Sequence, residues 1–206
     1  MTVLVSLAAV VILEVAARSA VSGDVCAPLL ILSVIRLLET VVLLLIVFML
    51  EGGMSHIGLS LSGAASGFKG GLIWSAGFGI VVLCASAALF LFGINPVALV
   101  HTPLPKGQGE LALFFLAGGI ISPVAEEVFF RGIVYGFLRR WGIVVAITLS
   151  TLVFVLAHPM GSGLPLPQIT GGILFAAAYE KEGNLLVPIT VHVLGNMAIF
   201  SLSLIP

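Results

Sequence analysis

The stretch AEEVFFRG, residues 125–132, sets Glu126, Glu127 and Arg131 together inside a long apolar run. Two stretches further along hold the chain's other candidate chemistry: FVLAH, with Phe154 and His158, and HVLGN, with His192 and Asn196. On a helix, Glu127 and Arg131 are one turn apart with the acid N-terminal, the favourable order for an ion pair. Such a pair keeps the carboxylate ionised and lowers the cost of holding a guanidinium in apolar surroundings. Glu126 is turned about 100° from Glu127 on a 3.6-residue helix, so one arginine need not serve both acids. An acid with a less complete partner is the one that can act as a general base. His192 and Asn196, also one turn apart, put an imidazole and an amide on one helix face. The acid cluster alone reads equally well as a structural brace. Two histidines, one with an amide a turn away, are harder to read as packing alone once the acid cluster is taken with them.

Other catalytic arrangements are missing from the sequence. No H-E-x-x-H occurs, so the ordinary zinc metalloprotease pattern is absent. Asp24 is the sole aspartate, which excludes an aspartyl dyad, and no glycine-rich phosphate loop follows a strand. Ser162 lies in PMGSGLPLPQ, residues 159–168, where a turn residue is the better reading than a nucleophile. A carboxylate, two imidazoles and an amide remain.

The elements that must position them are set by composition. The 206 residues are 60% hydrophobic and 8% charged, with a mean hydropathy of +1.29, whereas a soluble domain carries about 25% charged residues. A chain with so few charges cannot coat a water-exposed surface, and it reads as an integral membrane protein of one domain, 1–206. A net charge of −1 points to no nucleic-acid partner. Cys26 and Cys84 sit in or beside apolar runs and read as buried free thiols. The N-terminal run has no basic start and is interrupted by Glu14, so it reads as a retained span and not a signal peptide.

A helix crossing the hydrocarbon core needs about 20 mainly apolar residues. Segments 2–19, 26–50, 69–93, 108–139, 142–158, 165–180 and 185–204 qualify as candidates. The fold expected is an all-α polytopic transmembrane bundle of about seven to eight helices with a polar cavity near mid-membrane. Residues 51–68 read as a loop with an interfacial piece, and 94–110 and 159–168 as further loops. Gly132 and Gly136 form a GxxxG step that suits helix contact, and Gly171-Gly172 suits close packing of the sixth segment. If every segment crosses, Lys69, Arg139, Arg140 and Lys181 share one side and Arg18 and Lys106 the other, which places the N-terminus in the cytoplasm.

Ionisable groups at membrane depth usually face a bundle interior. Arg36 and Glu39, three apart on the second segment, read as a structural pair joining helices, with Glu14 either a partner for Arg36 or an interfacial residue. At about 1.5 Å per residue, Glu126 lies roughly 20 Å along its helix from Arg139, His158 about 25 Å from the same turn, and His192 about 12 Å from Asn184. Those depths are compatible with one shared site.

In order along the chain, EEVFFR fits E-E-x-x-x-R, FVLAH fits F-x-x-x-H, and HVLGN fits H-x-x-x-N. Together they resemble the CAAX-protease and bacteriocin-processing (CPBP, or Abi) family of intramembrane endopeptidases, over a catalytic half at about 108–204. The resemblance implies a glutamate-dependent peptidase. In it Glu126 would activate water with His158 helping to hold it, and His192 with Asn196 would stabilise the oxyanion of the tetrahedral intermediate. Glu127 and Arg131 would orient the site. It also points to a metal-independent reaction, although Glu126, His158 and His192 are three residues that could ligate zinc with an open water position.

Two other classes compete with an endopeptidase: a non-catalytic membrane scaffold or immunity protein, and a small proton-coupled transporter. Helix packing does not require an acid, two histidines and an asparagine in these positions. No paired broken helices in two halves suggest a transporter. The expected partner is a membrane-associated protein or peptide, such as a C-terminal sorting segment, a leader peptide or a prenylated tail. The small size and lack of large soluble loops suggest the bacterial cytoplasmic (inner) membrane.

Overall fold

The structure, a computed structural model, describes residues 1–20, 26–158 and 164–205. Asp24, Ser162 and the stretch 159–163 lie outside the described residues, as do the side chains of Arg18 and Cys26. The described chain is helical, with no strand. Its long elements are α1 (Thr2–Ala20), α2 (Cys26–Glu51), α3 (Ala64–Leu91), α4 (Gln108–Trp141), α5 (Ile143–Leu156), α6 (Leu166–Glu182) and α7 (Leu186–Leu202). They coincide with the apolar segments of the sequence to within a few residues. The loop at 51–68 contains a short 3₁₀ turn, Met54–Ile57, and that at 94–110 another, Val97–Leu99.

Three of these helices are long and apolar enough to cross a membrane on their own: Pro28–Glu51, Ala64–Leu91 and Gln108–Trp141. The remaining helices are shorter. α5 has 14 residues, about 21 Å of helix against a hydrocarbon core of about 30 Å. It starts just after Arg139, Arg140 and Trp141, residues suited to an interface, and is too short to cross that core alone. His158 sits just past its far end.

α4 is not a uniform helix. It widens to π geometry at Ala117–Ile121 and at Val128–Tyr135, with regular α-helix at Ser122–Glu127 between them. The first change has a local cause in Pro123, which lacks an N–H and whose ring displaces the carbonyl one turn back, at Gly119. The second run is buried along its entire length. π segments recur at functional sites, and here they bracket the two glutamates.

The core forms around this part of α4. Leu43 and Val47 of α2, Phe154 of α5, Phe175 of α6 and Val191 of α7 gather on Val128, Phe129, Phe130 and Ile133. Close backbone approach joins α3 to α7: a Cβ on Gly71 would overlap Thr190, and one on Gly67 would lie 2.5 Å from Asn184 Oδ1. Gly71→Ala is therefore expected to push α3 and α7 apart and cost about 1–3 kcal/mol by overpacking, measured as a lower Tm in detergent. An unchanged Tm would mean the two helices separate freely.

Two expectations are corrected. Gly132 packs on the side chain of Ile57 in the 3₁₀ turn, and Gly136 has open space where a Cβ would stand, so the GxxxG step is not a helix–helix seam among the described residues. Gly172 does serve close packing, against Thr151 of α5. Cys84 is a free thiol but exposed, because the second half of α3 faces outward.

Candidate active site

Glu127 and Arg131 form the innermost part of the site. Both side chains are fully buried, and Arg131 Nη1 donates to Glu127 Oε1 at 3.0 Å. The guanidinium also donates to the Gly172 carbonyl of α6 through Nη2, at 3.3 Å. Its faces are occupied by aromatic rings, with Cζ 4.6 Å from the Phe154 centroid and 5.2 Å from that of Phe175. Desolvated cation–π contacts of this kind contribute on the order of 2 kcal/mol, which offsets part of the cost of a buried charge.

Glu127 has a second partner. His192 Nδ1 lies 2.8 Å from the same Oε1 that Arg131 engages, and the imidazole stacks on Phe175 with centroids 4.4 Å apart and planes at 22°. An oxygen already accepting from a guanidinium accepts again here, so Nδ1 carries the proton. His192 is thus held in one orientation by a carboxylate on one edge and a ring on its face. Its Nε2 is left pointing toward Glu126, 3.8 Å from Oε2.

His158 arrives from α5 in a parallel way. Its Nδ1 lies 2.7 Å from the Phe154 carbonyl, which can only accept, so Nδ1 again carries the proton. Nε2 then faces Glu126 Oε2 at 3.6 Å. Glu126 is partly accessible, with 14% of its side chain exposed, and Oε2 has no hydrogen-bond partner among the described residues. Two imidazole Nε2 atoms and one carboxylate oxygen therefore converge, each with its remaining capacity unused. The separations exceed direct hydrogen bonds and are of the order that one water bridges.

Asn196, one turn from His192, does not bond to this trio. Its amide nitrogen donates to the Gly118 carbonyl in the first π segment, at 2.9 Å, which leaves its second N–H available. Thus Glu126, Glu127, Arg131, His158 and His192 meet in one cluster, and Asn196 ties α7 to α4 at its edge. Glu126, His158 and His192 are the residues the sequence offered as zinc ligands, but among the described residues no group of three or more His, Cys, Asp or Glu side chains is placed to hold a metal ion, although both imidazoles present Nε2 with Nδ1 anchored behind it.

No motif pointed to α6. Gly172 and Phe175, three residues apart and so on one face, supply the carbonyl beneath Arg131 and the ring beneath His192. The only sequence signal was the Gly171-Gly172 pair, which marked the helix as closely packed. The Glu127–His192 bond had no signal at all, because nothing in a linear spacing tells which acid a distant histidine will meet.

Comparison with known proteins places this site in a family context. Residues 108–198 match the family model described as type II CAAX prenyl endopeptidase Rce1-like. The chain is 33% identical over 94 residues to the membrane-embedded CAAX protease MroQ of Staphylococcus aureus (strain USA300), covering 42% of this chain and 38% of that protein. It is 27% identical over 157 residues to YdiL of Bacillus subtilis (strain 168), whose name is that of a membrane peptidase, covering 76% of this chain and 62% of that protein. The matched parts thus span less than two thirds of either relative. No solved structure matches significantly.

Proposed function

We propose that this protein, whose residues 108–198 match the model described as type II CAAX prenyl endopeptidase Rce1-like, is a glutamate-dependent intramembrane endopeptidase. It hydrolyses a peptide bond near the end of a membrane-associated substrate, with residues 108–204 as the catalytic half. The observation that carries the reading is the convergence of His158 Nε2 and His192 Nε2 on Glu126 Oε2, at 3.6 and 3.8 Å.

In this reading a water donates one hydrogen bond to Glu126 and the other to His158 Nε2. Glu126 takes the proton as the water oxygen attacks the scissile carbonyl, and later returns it to the leaving amine. The carbonyl oxygen becomes an oxyanion, met by the free N–H of Asn196 and by His192. With Nδ1 committed to Glu127, His192 donates through Nε2 only when it carries two protons, and Glu127 then lies opposite as counter-charge. These donors act because they are already in place when charge develops. Glu127 and Arg131 stay out of the proton transfers and fix the geometry.

The reading is metal-independent. A zinc reading would call on Glu126, His158 and His192, which are not placed together as a ligand set among the described residues, and the metal would then supply the activated water. The partner proposed is a membrane-associated peptide: a C-terminal sorting segment, a leader peptide or a prenylated tail, handled at the bacterial cytoplasmic membrane with the N-terminus of the chain inside the cell.

The test uses purified protein in nanodiscs with two probes, a prenylated peptide ending in a CAAX sequence and an unmodified peptide with a hydrophobic C-terminal segment. Wild type is expected to cleave one of them, with no loss after exhaustive chelation. His158→Ala and His192→Ala are each expected to slow that cleavage by about 10²-fold or more. Loss of activity on chelation, restored by added zinc, would replace the metal-free reading with the metal one. Full activity in both histidine variants, or no cleavage of either probe by wild type, would remove the proposal.

A further inference from the structure

α1 and α2 carry a second charged cluster that the family match does not cover. Arg36 donates through Nη1 to Glu39 Oε2 at 2.6 Å and through Nη2 to Glu14 Oε1 at 2.8 Å. The sequence paired Arg36 with Glu39 and left Glu14 open as a partner for Arg36 or an interfacial residue; both acids bind it. Glu39 is 1% exposed, and neither its Oε1 nor Arg36 Nε has a hydrogen-bond partner among the described residues. Glu39, Leu43 and Val47 recur every four residues, one stripe of α2. Leu43 and Val47 of that stripe pack in the same core as Val128 and Phe129, which directly follow the two glutamates of α4. α2 also packs against the segment Ser122–Glu127 itself. Arg36 and Glu39 are thus carried by the helix that packs on the turn holding Glu126.

A pair that only joined α1 to α2 would need one acid, and burying a second is costly. The position of the cluster gives a reason for it. The charged and titratable groups on the elements packed around Glu126 are Glu127 and Arg131 of α4, His158 after α5, His192 of α7, and Arg36 and Glu39 of α2, with Glu14 of α1 bound to Arg36. Arg131 is occupied by Glu127. Arg36 is the other cation, and a guanidinium with open N–H groups binds carboxylates through paired hydrogen bonds. Bound to Glu126, it would occupy the lone pairs that a base needs.

We propose that Glu39 and Glu14 are positioning residues for the reaction: they engage both terminal nitrogens of Arg36 and so keep it from capturing Glu126. This rests on Glu126 being the base, as proposed above. Arg36 then contributes its field to the site without a bond to the working acid.

The experiment compares Glu39→Gln, Glu14→Gln, and each combined with Arg36→Gln, using whichever probe peptide the wild type cleaves. Glu39→Gln weakens the hold on Arg36 and is expected to lower kcat about tenfold with KM changed by less than about twofold. Adding Arg36→Gln is expected to restore most of the lost kcat. Glu14→Gln, at the more exposed acid, is expected to give a smaller loss that Arg36→Gln also reverses. A purely structural cluster behaves oppositely, since a second substitution in it leaves activity as low or lower. Wild-type kcat in Glu39→Gln, or double variants as slow as the single ones, would overturn the proposal. Glu126→Gln run alongside separates this outcome from failure of the base assignment: its activity is abolished if the base stands and retained if it does not.

Discussion

Glu126→Gln is expected to lower kcat for peptide cleavage by about a thousandfold, within the range that a positioned general base supplies, while the variant inserts and purifies as wild type does. The substitution is nearly isosteric and removes a group that bonds to no other described side chain through Oε2. Packing therefore has little to lose. The amide cannot accept a proton from water, and its NH₂ would donate to one of the imidazole Nε2 atoms at 3.6 and 3.8 Å and disturb the arrangement further. Cleavage rates with the probe peptide, alongside the Tm of each protein, check this. A variant with full activity would remove Glu126 as the base.

Arg131→Ala is expected to have the largest effect on stability. Its guanidinium is fully buried, bonded to Glu127 and the Gly172 carbonyl, and stacked between Phe154 and Phe175. Removing it leaves Glu127 in the core without its cation and with only the His192 imidazole as partner; breaking a buried ion pair costs about 3–5 kcal/mol, and a cavity remains where the side chain stood. Glu127 also holds His192 at 2.8 Å, so the damage reaches the site as well as the fold. The expected outcome is low yield of monodisperse protein and a Tm many degrees below wild type. Arg131→Lys keeps the charge but not the forked geometry, and is expected to fall between the two. A stable Arg131→Ala protein would mean that Glu127 finds another partner.

Much of this was legible in the sequence because membrane chemistry narrows the choices. Apolar runs of about 20 residues leave helix as the only economical structure, so the helices could be placed from hydropathy. Charges at membrane depth are costly enough that their positions carry information, so Glu126, Glu127, Arg131, His158 and His192 could be singled out before any coordinates. Spacing then tied Glu127 to Arg131, because both lie on one helix. What could not be read were relations between helices. Whether His192 would bond to Glu127 or Glu126, whether Arg36 would take Glu14, and which ring would lie under the imidazole all depend on how α1, α2, α4, α6 and α7 rotate against each other. The π geometry of α4 was equally hidden, since Pro123 signals a disturbed turn without saying how the helix will absorb it. Gly136 misled for a related reason: a glycine's spacing shows that close approach is possible, not that a neighbour is there.

The most direct test of the central claim, that Glu126 activates water without a metal, is single-turnover cleavage of the probe peptide in H₂¹⁸O by chelator-treated enzyme. Direct attack by water predicts ¹⁸O in the new C-terminal carboxylate of the product in that first turnover, with none in Glu126. Label recovered in Glu126, as an acyl-enzyme hydrolysed at the Glu126 carbonyl would leave it, an acyl-enzyme trapped by hydroxylamine, or cleavage that resumes only after zinc is added, would contradict the account.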